Sequence, residues 1–479
     1  MVLSDMLVGG RVDDVWDDRW RALNLAIDTM FKDYGQVPDA PRLKTLRPLL
    51  LCLREFAGKR FADFHTGFLS QRLETWPDFP PDAVLSSILD QLGADVAVID
   101  RAILQRVSGT SLMKERLALA DRLAWSALQL AGNAGLLPAE KRPTVVTYFQ
   151  KSPNIRVIPY APVALVGIPY SCQQLDRDLL AIPHEIGHYV FAHGSYYQQP
   201  LRKHLKAQLA EVVSTRQNGY YQRLLNWLEE IFADVYGVAV SGPVMALDFQ
   251  DLQLHAGRSG FITDDNDHPV PVLRPRIHAQ VLRKREPESW TAWADVLEHH
   301  WEIRLQERAR IDHLDGVDAL DRHPCFDRFI SDHQPVMIAK LISNSARRDE
   351  DTKPLDKLIT AMLDVLAPGK TQSWYGVLPE VTRAESQALQ RSVLAQTTEK
   401  LYEALRDFVL HPPLVQAGQL DPLLKATLDT PADQTKVVAQ WLEAALLEFP
   451  TDNEVPRQAW QPYFEAEGWT TEGPTHQWP

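Results

Sequence analysis

Two histidines four residues apart enclose a glutamate in the pentapeptide His184-Glu185-Ile186-Gly187-His188. On a helix of about 3.6 residues per turn, both imidazoles project from one face and can grip a single metal ion. Glu185 then stands beside the metal rather than on it, where it can take a proton from a metal-activated water. Those residue types at that spacing describe a zinc hydrolase. With 15 His in 479 residues, the spacing arises by chance in about a few per cent of such chains, so the motif needs independent support.

The support lies further along, in Trp227-Leu228-Glu229-Glu230-Ile231-Phe232-Ala233-Asp234. Helical periodicity gathers Leu228, Phe232, Val235 and Ala239 on one side and Glu230 with Asp234 on the other. One acid of that pair can bind metal while its neighbour one turn on holds a ligand.

An HExxH helix followed by an ExxxD helix resembles the thermolysin-like zinc metallopeptidases, the gluzincins. The resemblance implies one Zn2+ held by His184, His188 and Glu230, with Glu185 as general base and Asp234 accepting from a ligand imidazole. Glu229 competes as third ligand, but it points about 100° from Glu230 around the helix and has no acid four residues on. Its side chain is expected to project away from the metal. The metzincin pattern is excluded by counting, since its Gly and third His positions hold Phe191 and Gly194, and His193 is one residue out of register. Asp267-His268-Pro269 through Arg274-Pro275-Arg276-Ile277 resembles the His-Pro…Arg-x-x-Ile stretch of several HExxH peptidases. By that resemblance His268 donates to the transition-state oxyanion; it also reads as an ordinary loop residue ahead of a helix. His323-Pro324 with Arg328 is a weaker copy of the pattern.

The remaining features bound the setting. A formal charge of −13, from 63 acidic and 50 basic side chains, disfavours a nucleic acid partner. Three cysteines, at 52, 172 and 325, form no CxxC pair, so neither a disulfide scaffold nor a cysteine zinc site is indicated and a reducing compartment fits. The start carries Asp13, Asp14, Asp17 and Asp18 where a secretory signal has bases and an apolar core. The longest largely apolar stretch, 235–247, contains Gly and Pro and falls short of the roughly 20 residues a membrane span needs. The expectation is a cytoplasmic protein with no membrane segment and a peptide or protein substrate, its oligomeric state open.

Helical stripes and three short strand-like runs read as an α+β fold, predominantly α-helical, and the gluzincin resemblance implies a zincin-like catalytic core of a small sheet plus active-site helices, flanked by helical regions. Changes of pattern divide the chain into a helical region at 1–142, the metallopeptidase domain at 143–285, a second helical region at 286–450 and a loosely ordered tail at 451–479. Trp16, Trp20, Leu23, Ala26 and Ile27 recur at helical spacing, as do Leu85, Ile88, Leu89 and Leu92. Three runs rich in β-branched and aromatic residues, 144–149, 155–160 and 163–168, read as strands. The last is the candidate edge strand for an extended substrate backbone, with an inner strand as its equal alternative. Pro183 either opens the HExxH helix or removes one hydrogen bond within a longer one.

Other features read blandly. Asp312, Asp315, Asp318 and Asp321 lack the alternate spacing of a calcium loop. His299 and His300 diverge on a helix, and the cluster Arg274, Arg276, Arg283, Lys284 and Arg285 reads as a solvated helix face before a receptor for a substrate carboxylate. Two rival functions stay open: a non-catalytic zinc-containing binding or regulatory module, and a defence or regulatory protease dedicated to one partner protein.

Overall fold

Apolar residues at helical spacing form most of what the computed structural model describes, which is residues 12–35, 42–73, 77, 79–137, 143–213, 218–254, 265, 267–269, 271–284, 291, 293–301, 304, 353–366, 469–470 and 473–474. The chain divides into two compact units. One takes Met1–Gly109, Ile158–Pro162 and Asp421–Pro479; the other takes Thr110–Val157 and Val163–Leu420.

In the first unit, α1 (Val12–Gly35), α2 (Leu43–Leu69) and α3 (Pro81–Ser108) pack on one another. The expected stripes supply the contact: Trp16, Ile27, Leu85, Ile88 and Leu92 are buried, although Ala26 is exposed. Pro81 opens α3 at a position whose N–H would lack a partner in any case. Trp16 Nε1 donates to Asp82 Oδ1 at 2.7 Å, pinning α1 to the start of α3. Tyr160 joins this unit by donating to Asp95 Oδ2 at 3.0 Å. The run expected as a strand over 155–160 therefore ends early: only β2 (Asn154–Arg156) is strand, and 158–162 leaves the sheet for this unit.

The second unit carries the sheet and the HExxH motif. Its first helix, α4 (Ser111–Asn133), is capped by Thr110, whose side chain accepts from Met113 N at 3.2 Å. Strands β1 (Thr144–Gln150) and β3 (Val163–Pro169) run parallel with Thr144 opposite Val163, while β2 pairs antiparallel with β3, Asn154 opposite Gly167. The order is β1-β3-β2, so 163–168 is the central strand and not the edge expected for substrate. Both β1 and β3 are buried over their first six residues, the unbroken apolar pattern of strands covered on both faces. Asp121 of α4 accepts from both Thr147 N and Thr147 Oγ1 at 2.8 Å, which satisfies a buried backbone donor and fixes α4 on β1.

Helix α5 (Ala181–His193) holds the HExxH motif, and Pro183 sits in its first turn, where its missing N–H leaves no gap in the ladder. Against it lies α8 (Leu228–Ser241), in close contact because Gly187 meets Ala233. A Cβ on Gly187 would stand 2.7 Å from Ala233 Cα, so only glycine permits this approach. Tyr236 fixes α8 against α4: its hydroxyl donates to Ala127 O at 2.6 Å and accepts from Ala131 N at 3.2 Å. Ile182, Ile186 and Val190 of α5 enter one apolar core with Leu228, Phe232 and Val235 of α8. Around them stand α6 (Leu201–Val212), α7 (Asn218–Asn226), α9 (Pro243–Leu254), α10 (Arg274–Lys284) and the helix Lys353–Leu366. Trp293, Leu297 and Trp301 are buried in the same core.

Among the described residues no helix is long and apolar enough to cross a membrane. Asp312 to Asp321, His323 with Arg328, Cys325 and Arg285 lie outside the described residues.

Candidate metal centre

The helical spacing of His184 and His188 turns both rings toward the first turn of α8, where Glu230 meets them. The two Nε2 atoms lie 3.2 Å apart. Glu230 Oε1 is 3.4 Å from His188 Nε2, and Oε2 is 3.6 Å from His184 Nε2. Among the described residues, this trio is the one group of His, Cys and acidic side chains that could hold a metal ion.

Two observations test the fit. Ligands about 2.05 Å from a divalent ion stand about 3.3 Å apart at the tetrahedral angle, and the three separations here run from 3.2 to 3.6 Å. The outer ring nitrogens supply the second. His184 Nδ1 lies 3.1 Å from Asp234 Oδ1, and His188 Nδ1 lies 3.0 Å from Glu229 Oε1. A carboxylate beside each Nδ1 leaves Nε2 of both rings turned toward the other ring and toward Glu230. Both Nε2 atoms and the Glu230 carboxylate thus face one point, where a divalent ion could be shared by all three.

The electrostatics agree with a cation-seeking site. Burial disfavours a charged His188, yet Glu230, Glu229 and Glu185 outweigh it and raise its pKa to about 10. Where a proton is drawn this strongly, a metal competes for the same lone pair. Burial alone would raise the Glu230 carboxyl, but His188 and Arg274 hold it below the usual carboxylate range. Asp234 is likewise pushed up by burial and pulled well down by Arg274 and His278. Glu185 goes the other way: burial raises its pKa, and the nearby histidines offset only part of that.

Arg274 corrects the sequence reading. Its residue is 9% exposed, and it forks onto Asp234, Nε to Oδ2 at 2.9 Å and an outer nitrogen to Oδ1 at 2.7 Å. The same outer nitrogen reaches Glu230 Oε2 at 3.1 Å. This cation faces the interior and balances two carboxylates; it is not on a solvated face. Fully buried His278 stands 3.3 Å from Asp234 on the same side, its pKa lowered chiefly by burial. Phe249 of α9 floors the group, its ring 5.2 Å from His184 and under the Arg274 guanidinium at 5.4 Å.

Glu229 is a second correction. It stays off the metal-facing side, as its helical angle requires, yet it engages His188 instead of pointing idly away.

His268 is placed at the rim. Its Nε2 lies 3.5 Å from Glu230 Oε1, and its side chain is 49% exposed. Asp265 anchors it from behind: Oδ2 is 2.9 Å from His268 Nδ1, while Oδ1 accepts from the backbone N–H of His268 at 2.7 Å and of Asp267 at 2.9 Å. Asp265 drew no attention in the sequence, although an Asp three residues before a His is a common local acceptor. His300 binds Gln250, Nδ1 to Oε1 at 2.8 Å, and takes no part in a metal group.

No family model, curated protein or solved structure matches this chain.

Proposed function

We propose that the chain is a zinc-dependent peptidase acting in the cytoplasm on a peptide or protein substrate. The observation that carries the reading is the convergence of His184, His188 and Glu230 with buried Glu185 in the same helix turn. Two imidazoles and one carboxylate suit zinc, and three protein donors leave a position open, unlike the four that close a structural site. A zinc ion held there supplies Lewis-acid activation of water and of the scissile carbonyl.

The chain's own residues do the rest. Glu185, its pKa raised by burial, accepts the water proton and returns it to the leaving amine. His268, oriented by Asp265, presents Nε2 at the rim, where it donates to the oxyanion; removing such a contact costs about 3 kcal/mol. Asp234 orients His184, and Arg274 keeps Asp234 and Glu230 ionised in a buried setting. With β3 paired on both sides, the edges fall to β1 and β2, and of these β2 lies beside α5, which favours it as the strand that pairs with an extended substrate backbone.

Mapping new protein N-termini in cells that express either the parent or Glu185→Gln tests the reading. Termini should appear only with the parent; identical sets from both forms would refute it.

A further inference from the structure

Glu229 and Glu230 open α8 side by side, and two acids in a first turn are ordinarily explained by the helix dipole. Their directions here differ in consequence. An offset of about 100° per residue sends Glu230 to the Nε2 atoms and Glu229 around the outside of His188. Although the Glu229 side chain is 47% exposed, its Oε1 stands 3.0 Å from His188 Nδ1. Among the described residues it is the one partner of that nitrogen.

We propose that Glu229 is the positioning residue that makes His188 a metal ligand, acting independently of the hold that Asp234 has on His184. An imidazole coordinates through whichever nitrogen lacks the proton. With Glu229 held at Nδ1, the ring is fixed with Nε2 toward His184 and Glu230. Without it the ring loses the one anchor at Nδ1 among the described residues and is free to turn Nε2 away from the other two ligands. Asp234 cannot compensate, because it lies against His184 on the opposite, fully buried side. Each ligand imidazole thus has its own carboxylate, one interior and one at the surface, both supplied by α8.

The inference rests on the metal-site reading. Its test is metal affinity in the full chain, measured by zinc competition with a chromophoric chelator and by the visible spectrum of the cobalt(II) form. Glu229→Ala should lower affinity about 10- to 100-fold and change the cobalt spectrum. Glu229→Gln keeps an acceptor oxygen and should restore most of both. Thermal unfolding of the metal-free Glu229→Ala protein should match the parent, and Glu115→Ala, which removes an exposed acid of α4, should bind as the parent does. Parent-like affinity in Glu229→Ala overturns the inference while leaving the metal site standing. So does a loss that Gln fails to restore and that comes with a destabilised metal-free protein. A parent chain that takes up neither ion overturns both the site and the inference.

Discussion

Gly187→Ala puts the architecture of the site under the sharpest test. The added Cβ would stand 2.7 Å from Ala233 Cα, 3.1 Å from Tyr236 Cβ and 3.2 Å from Ala233 Cβ. Ordinary carbon contact is about 3.6 Å, so α5 must back away from α8 by about 0.9 Å. Alanine favours a helix over glycine by about 1 kcal/mol, but overpacking of this kind costs about 1–3 kcal/mol. A contact against backbone belongs at the upper end, which leaves a net loss of about 2 kcal/mol. The effect on the metal is larger. His184 and His188 ride on α5 and Glu230 on α8, with ligand separations of 3.4 and 3.6 Å across the gap. A metal site tolerates about 0.2 Å in each bond, so Glu230 can no longer reach an ion shared with both imidazoles. Zinc affinity should fall by at least about 100-fold, the upper end of what losing a supporting partner costs. Chelator competition and urea unfolding read the two effects separately. Gly93→Ala is the control, because nothing lies within 4 Å of its Cβ position; it should gain up to about 1 kcal/mol and leave zinc binding alone. Unchanged zinc affinity in Gly187→Ala would refute the claim that this helix approach sets the ligand geometry.

Three further outcomes follow from the same structure. Glu185→Gln should retain zinc and lower turnover by about 100-fold or more, the size expected for a lost general base; cleavage at the parent rate would show that Glu185 is not the base. Asp234→Ala removes the bidentate partner of Arg274 in the interior and should destabilise the fold by about 3 kcal/mol, read as a drop in urea midpoint. An unchanged midpoint would contradict the buried pairing. His300 has its pKa lowered to about 4 by burial and by Arg304, against about 6.5 in an unfolded chain. The unfolded state therefore binds more protons between those values, so the contribution of neutral His300 is intact above pH 6.5 and lost as pH falls toward 4. The parent should lose more urea resistance than His300→Gln over that range, and equal losses would count against a buried neutral His300.

Local rules made the central cluster of side chains legible. The four-residue spacing of His184 and His188 and of Glu230 and Asp234 needs nothing beyond helix geometry, and those residues converge. The helical stripes through Trp16 and Leu85 mark buried faces for the same reason. What stayed hidden depended on tertiary arrangement. Strand order is not written in a strand's own residues, so 163–168 could not be told apart as centre or edge until β2 was seen on its far side. Arg274 belongs to a basic run that ends in exposed Lys284, and only the position of α10 beside α8 turns it inward onto Asp234. Glu229 was correctly excluded from the metal-facing side by its angle, but that angle said nothing of His188 on a neighbouring helix. The departure of 158–162 from the sheet to another unit likewise follows from Asp95 and Phe56, contacts of high sequence separation.

The most direct test of the metal centre is the zinc content of the purified full chain after zinc loading and dialysis, measured by plasma mass spectrometry beside a His184→Ala, His188→Ala double variant. The proposed function predicts one zinc per parent chain and none in the double variant, since the described residues offer no other group able to hold an ion. A parent without zinc, or a double variant that keeps it, would contradict the account at its base.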